Sequence, residues 1–276
     1  MTITVGWKRE KILILVKAYP QPSKKYGESV CTAGITPSGN WIRLYPVEFR
    51  NLPIESSFKK WSWIEASIIK SSDPRPESHK INHDSIINLH KVGTNEHWKL
   101  RKEILMPLCT GSLEELQALH DTSKMSLGII KPKHIEELVI ERTSSEWSTE
   151  KQEALDRAIN QQSMFTIRKV SLKSLEKVPY KFSYRFTCNN PLCTGHKLQI
   201  LDWEINQSFR KWKSKYGTEE IALAKIREKY FEEFTQKCDL HFIMGTLKSL
   251  DKFRVFSIIG LFYPPKEKYE QFSLFF

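Results

Sequence analysis

The sequence predicts an α+β protein: a small N-terminal β-barrel or sandwich followed by a C-terminal β-rich domain with inserted helices. Two observations carry this expectation. Short β-forming runs fill the first half with turn residues between them and no strand-helix-strand alternation. The second half places a long helical segment, 202–236, between β-forming runs. A length of 276 residues suits two domains, and with 40% hydrophobic and 27% charged residues the chain can bury a core.

The run KILILVK at 11–17 reads as a buried strand that leaves into a loop at Tyr19-Pro20-Gln21-Pro22-Ser23. Val30 to Thr36 and Asn40 to Val47 form a hairpin across Pro37-Ser38-Gly39. In its second arm Trp41, Arg43 and Tyr45 share one face while Ile42 and Leu44 share the other. Phe58 to Lys70 is expected as one long, bent strand with Trp61, Trp63, Glu65 and Ser67 on one parity. Short helices follow at Trp98 to Met106 and Ser112 to Leu119, the second with Ser112 as N-cap and Glu115 three residues on. Leu127 to Ile130 and Ile135 to Ile140 return to strand character.

The polar stretch Thr143 to Glu153 reads as the connection between domains, running into a helix from Thr149 to about Gln161. The expected division is therefore 1–145 and 146–276. Beyond it, Tyr180 to Cys188 alternates as a strand with Phe182, Tyr184 and Phe186 on one face. Asp202 to Tyr216 and Thr218 to Gln236 are helical and split by Gly217, and Leu240 to Thr246 and Phe253 to Phe262 are the last strands. No internal repeat of fixed short period is visible.

No window holds the roughly 18 apolar residues of a membrane-spanning helix, and the N-terminus does not read as a secretory signal, so a soluble, cytoplasmic protein is expected. Five unevenly spaced cysteines do not make a disulfide framework. A net charge of +11 favours a polyanionic partner, the alternative being a basic surface kept for solubility. Basic and aromatic residues interleave at Trp41/Arg43/Tyr45, Lys59/Lys60/Trp61/Trp63, Lys181/Tyr184/Arg185 and Arg210/Lys211/Trp212. Such sets hold single strands by stacking bases inside a basic groove. The bland reading of each Trp is a core aromatic.

Cys188-Asn-Asn-Pro-Leu-Cys193-Thr-Gly-His196 has the spacing of a metal knuckle, supplying three soft or borderline ligands from one loop. Cys238 or His241 is the expected fourth ligand of a structural zinc; the alternative is free thiols in a loop. Asp73-Pro-Arg75-Pro-Glu77 is a rigid loop that presents Arg75 to phosphate or pairs it with a neighbouring acid. Asp202-Trp203-Glu204 resembles the acidic end of a metal-dependent nuclease but lacks a companion Glu-x-Lys, and acidic residues opening a helix explain it as well. No phosphate-cradling glycine loop and no nucleophile elbow are present.

The stretches KILILVKAYPQPSKKYGESVCTAGI, NWIRLYPVEFR, DPRPESHKI, PYKFSYRFTCNNPLCTGHKLQILDWE, FIMGTL and IIGLFYPP resemble the bacterial dual OB-domain-containing family over nearly the whole chain. That resemblance implies two oligonucleotide-binding barrels and a place in bacterial genome conflict, such as phage defence, beside an effector enzyme. It brings no catalytic motif. The helical segment 202–236 is larger than the usual barrel insertion.

The expectation is a non-enzymatic nucleic-acid-binding protein with an OB-like barrel first. Binding falls to Trp41, Arg43, Trp61, Trp63 and Arg75, with Arg185, Lys197, Arg210 and Lys211 in the second domain. A subunit docking a protein effector is the alternative, supported by the aromatic tail Tyr269 to Phe276; a metal-dependent nuclease is the third.

Overall fold

The computed structural model describes residues 6–23, 27–49, 52–165, 176–247 and 256–266. The tail at 269–276 therefore lies outside the described residues.

Strand β1 (Lys8–Lys17) is buried from Ile12 to Val16 because both of its faces are covered. Ile12 and Ile14 point into one core with Ile42, Leu44, Ile64 and Ile68, while Leu13 and Leu15 point into another. After the short β2 (Gln21–Ser23), the expected hairpin forms from β3 (Gly27–Ile35) and β4 (Trp41–Val47), paired antiparallel. β5 (Ser62–Lys70) pairs antiparallel with β1 and with β6 (Ser78–Ile81), and β6 runs parallel to β4. The ladders β1-β3-β4-β6-β5 thus return to β1 and close a five-stranded barrel of OB-like order. β7 (Ile87–Lys91) adds to β5, and α1 (Asn95–Leu105) ends this half.

The long strand expected over 58–70 is shorter than read. Trp61 has a left-handed φ of 64°, its N–H donates to the Ile14 carbonyl and its own carbonyl accepts from Val92, so the chain turns there and the ladder begins at Ser62.

The remaining elements are β8 (Cys109–Thr110), α2 (Leu113–Ser123), β9 (Leu127–Ile130), β10 (His134–Arg142), α3 (Thr149–Phe165), β11 (Tyr180–Thr187), β12 (His196–Gln199), α4 (Trp203–Tyr216), α5 (Glu219–Arg227), a π-helical turn, α6 (Phe234–Lys237), β13 (His241–Thr246) and β14 (Phe256–Phe262). Only residues 131–133 separate β9 from β10, so the two act as halves of one bent strand. Its first half pairs with β13 and its second with β11. β11 pairs with β12, a parallel bridge joins Ile200, just after β12, to Ile258 in β14, and β14 pairs with β13. This second ring repeats the connection order of the first, parallel contact included. The helices α4 to α6 sit between its third and fourth strands, in place of the short 3-10 turn Ile54–Ser56 of the first ring.

Consequently the expected division at 145 falls beyond the first strand of the second ring. Residues 109–142 pair with C-terminal strands, and 143–153 connects β10 to its neighbour β11 rather than one domain to another. α2 begins as read, with Ser112 Oγ accepting from the Glu115 N–H. Gly217, at φ 80°, ends α4 in the left-handed conformation that Gly adopts without strain.

The two halves share a core. Leu13, Leu15, Ala33, Ile35 and Trp61 on the outside of the barrel pack on Leu127, Ile129, Ile243, Ile259 and Phe262. No helix among the described residues is long and apolar enough to cross a membrane.

Candidate nucleic-acid interface and metal centre

The face that an OB barrel offers to nucleic acid, its second and third strands with the loop between its last two, is here covered by the second ring. Trp41 packs on the shared core, and Arg43 is 2% exposed. The Arg43 guanidinium donates to the Ser126 carbonyl and Oγ at 3.0 Å each, and Glu77 accepts from the Ser126 N–H and hydroxyl. Arg75 donates to both Asp73 carboxylate oxygens and to the Thr246 carbonyl at 3.1 Å. The rigid DPRPE loop therefore clamps the two rings together. Arg43 and Arg75 do not present guanidinium groups to an outside phosphate, and Trp63 is half-buried against the shared core.

On the second ring, Phe182, Tyr184 and Phe186 point inward, and Tyr184 stacks on Phe242 with centroids 5.2 Å apart. The outer face carries Arg185 beside Glu137 and Lys197 beside Glu141, so these charges are matched across the strands, and among the described residues it shows no aromatic platform. Arg210 pairs with Glu176, and Lys211 is exposed on α4.

The structure gathers cations and aromatics elsewhere. A cleft of ≈ 340 Å³ between the barrel, α1 and the start of α4 is lined by Lys17, Lys59, Lys60, Lys91 and Arg101, with Trp61, Trp98, Trp203 and Tyr263. Arg101 lies 4.5 Å from the Trp61 ring centre and 4.8 Å from that of Trp98, and donates to the Val92 carbonyl. The Lys17 ammonium sits 3.4 Å over Phe49 and 5.6 Å from Trp203. Burial, then the neighbouring Lys60, lower its pKa to about 8. Burial also opposes the charge of Lys60, but Asp202 at 2.9 Å and Glu204 at 3.4 Å outweigh it and hold that proton more tightly than usual. The Tyr263 hydroxyl is pushed up to about 12 by burial and then by Glu204.

Asp202 does not have the bearing of a nuclease carboxylate. It is fully buried, and its oxygens accept from the Glu204 N–H, the Leu261 N–H and Lys60. It caps α4 and anchors the cleft floor, as an acid opening a helix does.

Of the predicted binding residues, Trp61 alone lines this cleft. Lys17, Lys91, Trp98, Arg101 and Tyr263 were not singled out by sequence reasoning for binding. The signals nearest to them were the Lys59/Lys60/Trp61 run and the Asp202-Trp203-Glu204 motif.

The second cluster is the knuckle. Asn190 makes its turn, accepting from the Leu192 and Cys193 N–H groups, and Gly195 at φ 101° lets the chain enter β12. His196 Nε2 lies 3.2 Å from Cys193 Sγ, 3.4 Å from Cys188 Sγ and 3.2 Å from Glu114 Oε1; Cys188 Sγ lies 2.9 Å from Glu114 Oε2. All four donor groups lie within 4.8 Å of one another. A tetrahedral ion with bonds of about 2.0–2.3 Å needs donor separations of about 3.3–3.8 Å, so this group can hold a metal ion. Burial, then the Glu114 contact, push the Cys188 thiol up to about 11.

The fourth donor is Glu114 from the first turn of α2, not Cys238 or His241. Cys238 forms a backbone bridge with Pro265, and His241 Nδ1 faces the Asp239 carbonyl, its ring against Phe262.

No curated protein matches the chain. Residues 8–107 match the family model described as Domain of unknown function (DUF8758), and residues 109–276 match Domain of unknown function (DUF8757). The break between the two matches falls where the strand ladders pass from the first ring to the second. As its match covers more than half of the sequence, the chain belongs to the DUF8757 family.

Proposed function

We propose that this is a non-enzymatic nucleic-acid-binding protein that holds single-stranded nucleic acid in the cleft between its two rings, as a cytoplasmic accessory or sensor of a bacterial defence system. The cleft carries the reading: five cationic side chains and four aromatic ones converge on one cavity. Phosphates are attracted by Lys17, Lys59, Lys91 and Arg101, while bases stack on indole and phenol rings. The defence role and membership of the dual OB-domain family follow from the sequence resemblance, which the repeated strand order of the two rings supports.

Zinc is the metal we assign to the knuckle. Two thiolates, an imidazole and a carboxylate suit it, and its part is structural: it would join α2 to the β11–β12 turn.

Fluorescence anisotropy with 12-nucleotide DNA and RNA, single- and double-stranded, tests the binding. With about three phosphates neutralised, single-strand affinity falls about 20-fold between roughly 50 and 200 mM salt. Trp98→Ala weakens it about tenfold, whereas Arg185→Ala, already matched by Glu137, leaves it unchanged. Absence of binding to all four ligands at low salt would overturn the proposal in favour of a subunit that docks a protein effector.

A further inference from the structure

One side chain of the cleft is out of keeping with phosphate binding. Glu204 projects from the first turn of α4, next to Trp203, and is the acidic member of a lining that is otherwise cationic, aromatic or aliphatic. Its side chain is 42% exposed, and its Oε2 lies 3.4 Å from Lys60. Its Oε1 makes no hydrogen bond among the described residues. Lys60 does not need this carboxylate for company, since it pairs more closely with buried Asp202 at 2.9 Å. A carboxylate so placed repels phosphate, and it accepts hydrogen bonds without donating any.

Stacked between aromatic side chains, an unpaired base turns its Watson–Crick edge to a neighbouring polar group. Guanine alone shows two adjacent donors there, N1–H and the 2-amino group, which match the two oxygens of a carboxylate. Adenine and cytosine set one amino donor beside an acceptor nitrogen, and thymine and uracil set one N–H between two carbonyl oxygens. Each of these puts an acceptor against the carboxylate.

We infer that the cleft selects guanine: Glu204 accepts from the guanine N1–H and 2-amino group while the base stacks beside Trp203 and the flanking phosphates meet Lys17, Lys59 and Lys91. Lys60, bonded to Asp202 beneath, holds the carboxylate in place. The inference rests on the single-strand reading above, and its test separates the two.

The probes are fluorescein-labelled decathymidylates with one central residue replaced by guanine, inosine, adenine or cytosine, titrated at low salt. Inosine keeps N1–H and lacks only the 2-amino group. The expected result is that the guanine probe binds roughly tenfold more tightly than the inosine, adenine and all-thymine probes. In Glu204→Gln, whose amide presents a donor as well as an acceptor, the guanine-to-inosine ratio falls to near one. Equal affinity of the wild-type protein for all probes overturns guanine selection and leaves single-strand binding standing. A guanine preference undiminished in a folded Glu204→Gln removes the role of Glu204. Failure of every probe to bind removes the underlying reading itself.

Discussion

Arg43 and Lys17 are basic side chains withdrawn from water in different ways, and the difference decides what each can do. Arg43 is answered inside the protein by Ser126 and, through it, by Glu77. Removing such a buried group costs about 3 kcal/mol because the acceptors left behind stay dry. Lys17 is met by the Phe49 ring and the Phe58 carbonyl at 3.3 Å, and its burial, then the repulsion of Lys60, lowers its pKa to about 8. An anion in the cleft would therefore be its best partner. Because Lys17 in the unliganded protein loses its proton as pH rises through about 8, nucleic-acid affinity should fall up to about tenfold between pH 7 and 9. Lys17→Arg should flatten that profile in anisotropy titrations; an identical profile in the variant would show that Lys17 does not meet the phosphate. The same shift has a consequence for folding. Between about pH 8 and 10.5 the unfolded chain binds more protons at this residue than the folded one, so its contribution to stability rises with pH across that window. None of this was legible at residue 17, which reads as a flank of an apolar run; its surroundings arrive from positions 49, 60 and 203.

The knuckle marks how far local spacing reaches at the scale of elements. Cys188, Cys193 and His196 lie within nine residues, so one turn brings them together and the sequence reveals them. Glu114 lies 74 positions before Cys188 and opens a helix, where an acid is ordinary because it complements the helix dipole. Only the docking of α2 on the β11–β12 turn distinguishes it. Cys238 and His241 had the right chemistry and the wrong place. Purified protein should contain about one zinc per chain by mass spectrometry. Cys193→Ser should lose it and lower the melting temperature by about 5–10 °C. Glu114→Gln, which keeps the shape of the side chain, should weaken zinc retention against a chelator. Unchanged melting together with zinc-free wild-type protein would sink the assignment. Alternation on β4 and β11 was equally local and held: Ile42 and Leu44 are inward, as are Phe182, Tyr184 and Phe186. What alternation left open was whether the opposite face of β4 meets solvent or another sheet. Trp41 and Arg43 meet another sheet, so they lend the barrel no stacking surface.

Over the whole molecule, the repeat of ring order was hidden because it resides in which strands pair, not in any sequence period, and because α4 to α6 lengthen the second ring alone. The shared core makes the two rings one thermodynamic unit. Each of Leu13, Leu15, Ile35, Leu127, Ile129 and Ile259 contributes about 1.5–3 kcal/mol by leaving water, and each does so only when both rings are folded. Urea unfolding followed by tryptophan fluorescence and by far-ultraviolet circular dichroism should therefore give coincident single transitions. Two separated midpoints would mean that the rings fold independently. β1 also has a consequence for how the chain is made. Its inner face finds partners once residue 81 has been synthesised, but its outer face is covered by Ile259 and Phe262, which follow much later in the chain. Until those residues have been synthesised the nascent barrel must carry an uncovered strip of Leu13, Leu15 and Ile35, so in that interval the chain is a natural client for holdase chaperones.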